Sequence, residues 1–241
     1  MSVVHPVLIA LDTATDRVHL ALSAGERICV ADLPGGAQAS ATLLPALQDL
    51  LRDRAIHWAD VDAIAFGAGP GAFTGLRTAC ATAQGLALGL DKPVIALDTL
   101  MAVAEDARAS DPGAWADGAG IWVLQDARMD ELYVAAYVWQ GGSWTCTQAP
   151  QLWPLDEPQR RWATAAPAHL AGSGLSAYAD RFAGIPAGRT WAHAAPRGAA
   201  LAELARQAWD RQDTLDAALA LPRYVRDKVA QTTAERMAAR A

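Results

Sequence analysis

The feature that most limits the fold is an internal repeat. Asp12 to Ala21 reads DTATDRVHLA and Asp126 to Ala135 reads DARMDELYVA. Side by side, Asp12 falls on Asp126, Asp16 on Asp130, Val18 on Leu132 and Ala21 on Ala135. Each stretch follows a short apolar run, VLIALD at Val7 to Asp12 and WVLQD at Trp122 to Asp126, as expected of a buried strand. In the first half, RVHLALS (17–23) and RICVA (27–31) add two strands, and ATLLPALQDLLRDR shows leucines at helical spacing with Pro45 near its first turn. A strand at Val61 to Phe66, a helix at Thr74 to Leu90, a strand at Val94 to Leu97 and a helix from Thr99 to about Ala109 complete it, with Gly89 as a helix end and Pro93 beyond. The second half offers LYVAAYVW (132–139), a Gly141-Gly142 turn, SWTCTQ, and HLAGSGL (169–175), which echoes IAFGAGPG. A helix at Ser176 to Ala183, a strand near Thr190 to His193 and a helix from Ala199 to about Arg211 follow. A βββαβαβα order used twice predicts a two-lobed α/β chain with mixed sheets.

The turn-rich stretch SDPGAWADGA (110–119) marks the boundary, giving lobes at 1–109 and 110–241. Ala149 to Pro167, with four prolines and two tryptophans, reads as an irregular, partly packed loop. A chain of 241 residues, 52% hydrophobic, can bury a core in each lobe. The start of the sequence has no basic and apolar leader pattern, and no apolar run approaches the ~18 residues of a membrane span, so a soluble cytoplasmic protein is expected. Cys29, Cys80 and Cys146 form no CxxC pair and fit a reduced thiol state. The net charge of −6 gives no global attraction to nucleic acid or to an acidic membrane. Arg223, Arg226 and Lys228 form one small basic cluster, read as a solvated tail rather than a tRNA site.

GAGPGAFTGLR, Gly67 to Arg77, poses the functional question. Its spacing fits neither the Walker loop, which needs Gly-Lys-Ser/Thr, nor the Rossmann fingerprint. Backbone amides at Gly69, Gly71 and Thr74 could hold an anion at the helix start. The plainer reading, which is preferred, is a sharp strand-to-helix turn with glycines for close packing. Asp12 and Asp126 end apolar strands beside the expected interlobe cleft and are candidates for a nucleotide or anion site, although each could simply accept bonds from its own turn. The five histidines form no HExxH or Cys/His cluster, so no metal site is expected, and no serine sits in G-x-S-x-G. Helix Thr74 to Leu90 is Ala, Gly, Thr and Cys nearly all round; such a helix needs covering on most sides, which favours a second contact beyond its own sheet.

ALDTAT, GPGAFTGLR with TAQGLALG, ALDTLMAVA, DARMDELYVAAY and PRYVRD together resemble the TsaB (YeaZ) family. The matching motifs cover most of 7–139 and again 222–227. The resemblance implies an actin/Hsp70/sugar-kinase fold and a part in making N6-threonylcarbamoyladenosine at position 37 of ANN-decoding tRNAs. It implies a non-catalytic subunit that pairs with its paralogue TsaD, is joined by the ATPase TsaE, meets tRNA only through the complex, and pairs with itself when alone. ATP or ADP and Mg would serve the complex, with no cofactor held by this chain. The family commonly has Ser where Ala72 stands, and a His-Ser or His-Thr pair where this chain reads Ala39-Ser40. By the same resemblance the two first-lobe helices make the contact. Leu43, Leu47 and Leu50 of one and Arg77, Ala81, Gln84 and Leu88 of the other each share a helical face. The competing expectation is a nucleotide hydrolase or protease of the same fold acting alone.

Overall fold

The computed structural model describes residues 5–226. Two five-stranded sheets carry the repeat. In the first, β1 (Val7–Asp12) lies antiparallel to β2 (Arg17–Ala24), which pairs with β3 (Arg27–Pro34); β1 also lies parallel to β4 (Ala63–Gly67), and β4 to β5 (Val94–Leu97). The second sheet repeats that order with β6 (Ala119–Asp126), β7 (Glu131–Gln140), β8 (Ser143–Pro154), β9 (His169–Ala171) and β10 (Arg189–Trp191). The helices are α1 (Ala39–Asp53), α2 (Phe73–Leu90), α3 (Thr99–Ser110), α4 (Glu157–Arg161), α5 (Gly174–Ala177), α6 (Ala179–Phe182) and α7 (Gly198–Asp210). This is the duplicated, two-lobed architecture expected of the actin/Hsp70/sugar-kinase fold.

Strand alternation sorts the core into layers. Ile9 and Leu11 of β1, with Val18, Leu20 and Leu22 of β2, face α1 and α2 on one side of the first sheet. Leu8, Ala10 and Ala21 face the other way, into a middle layer that holds α3 and α7. Ile121, Val123, Tyr133 and Tyr137 close that layer from the second sheet, whose opposite face carries α4 to α6. Helix α7 packs chiefly on β1, β2 and β3. Helix α7 and the chain that follows it as far as Arg223 therefore belong with the first sheet, which corrects the 110–241 boundary. Contiguity along the chain could not show this, because the apolar stripe of α7 fits either sheet.

Three local expectations are also corrected. Residues 149–154 are strand, the end of the long β8, and Trp153 and Trp162 pack on Trp122 at ring distances of 5.3 and 5.6 Å. Prolines hid that strand, which tolerates them because β8 is a sheet edge. Pro45 sits inside α1 rather than in its first turn, on an exposed face where water can serve the freed carbonyl. Gly89 does not end α2; Asp91, at φ +55°, is the left-handed cap.

Glycine content in the 67–75 loop is a steric demand. A Cβ on Gly67 would lie 1.7 Å from Asp12 Oδ2, and one on Gly75 1.8 Å from the Thr13 carbonyl oxygen. The start of α2 thus rests directly on the β1–β2 turn. On the outer side of the same helix, a Cβ on Gly85 or Gly89 would meet nothing within 4 Å. Gly75→Ala is expected to lower the unfolding free energy by about 3 kcal/mol, whereas Gly85→Ala should raise it by about 0.5–1 kcal/mol. Urea denaturation of the two variants measures both.

Candidate functional site

Asp12 is fully buried. Its carboxylate accepts the Ala14 N–H at 2.7 Å and the Thr99 hydroxyl at 2.7 Å, and Thr99 Oγ1 in turn accepts the Gly69 N–H at 3.2 Å. Burial pushes the Asp12 pKa from 3.8 up to about 6, against the opposing pull of those two bonds. The side chain ties β1, α3 and the glycine turn together and is closed off from any ligand. Gly69 has its N–H on Thr99 and its carbonyl on the Thr99 N–H. The Gly71 carbonyl accepts the Tyr133 hydroxyl at 3.4 Å. Of the loop positions expected to face an anion, only Thr74 stays exposed.

Asp126 does not occupy the place of Asp12. Asp12 pairs with His19 and points into the middle layer; on β6 the inward position facing Tyr133 is Gln125, one residue earlier. A one-residue slip moves a side chain to the opposite face, and a match of motifs cannot detect it. Asp126 instead accepts the Arg128 N–H at 2.8 Å and the Tyr178 hydroxyl at 3.1 Å, and pairs with the Arg128 guanidinium at 2.9 Å.

Between the lobes lies a cleft of about 940 Å³ whose walls include Arg17, His19, Asp126, His193, Arg197 and Arg226. His19 is buried with Nδ1 3.4 Å from Asp32 and, among the described residues, Nε2 has no partner. Burial drives its pKa below the ordinary histidine value, so it is neutral near pH 7. Among the described residues, no group of three or more His, Cys, Asp or Glu side chains could hold a metal ion, and no helix is long and apolar enough to cross a membrane. Sequence reasoning missed Asp98, which caps α3 through the Leu100 and Met101 N–H groups and accepts the Tyr137 hydroxyl at 2.8 Å. The Asp-Thr pair at the head of α3 was the available signal.

The two-helix face is rearranged from expectation. Leu43 and Leu47 are buried against the first sheet and Leu50 is partly buried there, so the leucine stripe of α1 is core. Its spacing marked an apolar face but not which neighbour claims it. Gln84 is engaged within the chain, its amide donating to the Ala217 and Ala220 carbonyls at 3.0 and 3.2 Å. Arg77, Ala81 and Leu88 are exposed, and Arg77 donates to the Tyr224 hydroxyl at 3.1 Å. The uncovered apolar side chains here are Leu44 on α1, Leu88 on α2, and Leu219 and Leu221 on the segment that flanks α2. Arg223 and Arg226 sit at the cleft; Lys228, the third member of the expected cluster, lies outside the described residues.

The profile of the tRNA N6-adenosine threonylcarbamoyltransferase family, TsaD, matches residues 33–156. The solved structure titled YeaZ from Pseudomonas aeruginosa is 35% identical, with a TM-score of 0.78 over 91% of this chain and 99% of that one. The chain belongs to the TsaB/YeaZ family. A second Pseudomonas aeruginosa structure, titled an uncharacterized protein with similarity to peptidase YEAZ, aligns at 35% identity and a TM-score of 0.80 over 92% of this chain and 100% of that one. The tRNA threonylcarbamoyladenosine biosynthesis protein TsaB of Escherichia coli is 34% identical over 159 residues, 60% of this chain and 63% of its own. Its namesake from Haemophilus influenzae is 38% identical over 134 residues, 54% of this chain and 53% of its own. The matched segment thus spans between half and two thirds of these two relatives.

The buried carboxylate makes stability depend on pH. Folded Asp12 holds its proton up to about pH 6, whereas the unfolded chain releases it near 3.8. Between those values the native state binds more protons, so stability falls as pH rises, by about 3 kcal/mol in all, and the full cost persists above pH 6. Asp12→Asn, which never ionises, is expected to remove that part of the slope; denaturation midpoints of both proteins from pH 4 to 8 would show it.

Proposed function

We propose that this chain serves tRNA threonylcarbamoyladenosine biosynthesis as a non-catalytic subunit that docks on the larger paralogous transferase, TsaD. The observation that carries the reading is how its polar groups are spent. Asp12 and the amide of Gly69, which stand where a chain of this fold could meet phosphate, are consumed by internal bonds. The outer face of α1 and α2 is uncovered, with small residues and Leu44 and Leu88 standing in water. Small residues let helix axes approach closely, and an uncovered apolar strip favours association.

In this reading the contact set is Leu44, Arg77, Ala81, Gly85 and Leu88. The same surface serves an isologous pair when the chain is alone, and the two assemblies exclude each other. Nucleotide and Mg chemistry lies with TsaD and the ATPase TsaE, and a chain of net charge −6 meets tRNA through its partners. The relatives' names support the pathway, and cytoplasmic tRNA is its substrate.

Ala81 is exposed, so Ala81→Arg should leave the fold intact while placing a long charged side chain at the centre of the contact. Association with purified TsaD is expected to weaken by roughly 30-fold or more, about 2 kcal/mol. Calorimetric titration with TsaD reads this directly. Unchanged affinity in a folded variant would remove α2 from the interface, and ATP turnover by the chain alone would favour independent catalysis instead.

A further inference from the structure

The segment after α7 joins three places that are distant in the chain. Leu215 makes a two-bond antiparallel bridge with Val94, at 2.8 and 2.9 Å. Ala217 and Ala220 are buried beside α2, where Gln84 and Cys80 hold their carbonyls. The Arg223 N–H donates to the Ala68 carbonyl at 2.7 Å, laying the segment over the glycine turn, and the Tyr224 ring sits 5.3 Å from that of Phe73. Two residues later, Arg226 crosses to the second lobe. Its guanidinium donates to the carbonyls of Ala127 at 3.0 Å and Arg128 at 3.4 Å, pairs with the Glu131 carboxylate, and lies 5.9 Å over the Tyr133 ring.

The turn that Arg226 grips is unusual. Arg128, Met129 and Asp130 have φ of +61, +58 and +56°. Left-handed backbone is disfavoured for residues with a Cβ, and where it occurs it is normally a single residue. The matching turn of the first lobe has no such residue and is held by backbone and by its own side chain: the Ala14 and Asp16 carbonyls accept the Ala72 and Gly35 N–H groups at 2.8 and 2.9 Å, and Thr13 Oγ1 donates to the Gly75 carbonyl at 2.6 Å. The second turn has one residue more between its paired inward positions, Gln125 and Tyr133, than the first has between Asp12 and His19. Its carbonyls are gathered by a side chain from elsewhere in the chain.

We propose that Arg226 is a latch that holds the 127–131 turn in its left-handed form, and that the 213–226 strap couples the outer flank of α2 to the interlobe cleft. Tyr224 is the lever, since it meets α2 through Phe73 and Arg77 only two residues before the latch. A protein seated on α2 would then alter the cleft by moving the strap. That last step alone rests on the proposed docking face; the latch itself is a property of the isolated chain.

The test is amide hydrogen exchange on the full chain, read at Ala127, Arg128 and Glu131, whose N–H groups bond within this turn. Arg226→Gln is expected to speed exchange there by roughly tenfold or more while α1 and β1 stay protected. Arg226→Lys, which keeps the charge but lacks the planar fork, should lie much closer to Gln than to the native residue. Tyr224→Ala, which removes an exposed ring that meets Phe73 and Arg77 of α2, should speed exchange at the same three amides. Native exchange at 127–131 in Arg226→Gln, native protection in Arg226→Lys, or a Tyr224→Ala effect confined to α2 would each overturn the proposal. Failure of TsaD binding with these exchange results intact would count against the docking face only.

Discussion

One buried carboxylate organises the first lobe. Asp12 ends β1, receives the amide of its own turn, and binds the hydroxyl of Thr99, which also receives the amide of Gly69. Three segments meet on a group with no solvent of its own. Removing a carboxylate from water is costly, and the bonds it accepts offset part of that cost; the raised pKa records what is left over. Because Asp12 and the Thr13 carbonyl press against the loop, Gly67 and Gly75 cannot carry a side chain. The direction of α2, and with it the face it turns outward, follows from this contact.

The two halves of the repeat have diverged around the same frame. The first-lobe turn is held by the start of α2 and by the backbone of its neighbours, while Thr15 and Asp16 face the cleft. The second-lobe turn has the same four residues between its strands, but it sits in left-handed backbone and is gripped by Arg226, nearly a hundred positions away in the chain. The middle layer explains why the halves stay together: α3 and α7 lie between the sheets and share one apolar cluster with both. Buried Glu105, paired with Arg108 on the same helix, accepts the Trp144 indole N–H, and the Arg108 guanidinium lies 4.3 Å over the Trp139 ring; these contacts fasten α3 to the second sheet.

The architecture was legible in the sequence because its signals are local. Apolar runs, helical leucine spacing and the glycine turn each depend on nearby residues, and the repeat supplied the order in which they combine. Even there, Pro45 and the edge of β8 were obscured, since proline is a strong local signal that tertiary position can override. The site was less legible. The helical spacing of Leu43, Leu47 and Leu50 identified an apolar face correctly, and the first sheet took it; the spare surface lies on the neighbouring positions instead.

By itself, the sequence determined the duplicated α/β fold, the family and the glycines of the 67–75 loop, because all of these rest on periodicity and on motifs of adjoining residues. Only the tertiary structure decided which helix faces are free, that Asp12 is a strut, that Gln125 rather than Asp126 takes its inward place, and that residues 198–223 return to the first lobe. The reason is the same in each case. A side chain's role depends on what packs against it, and strand register, helix rotation and long-range return of the chain are set by the sum of all contacts rather than by any one stretch.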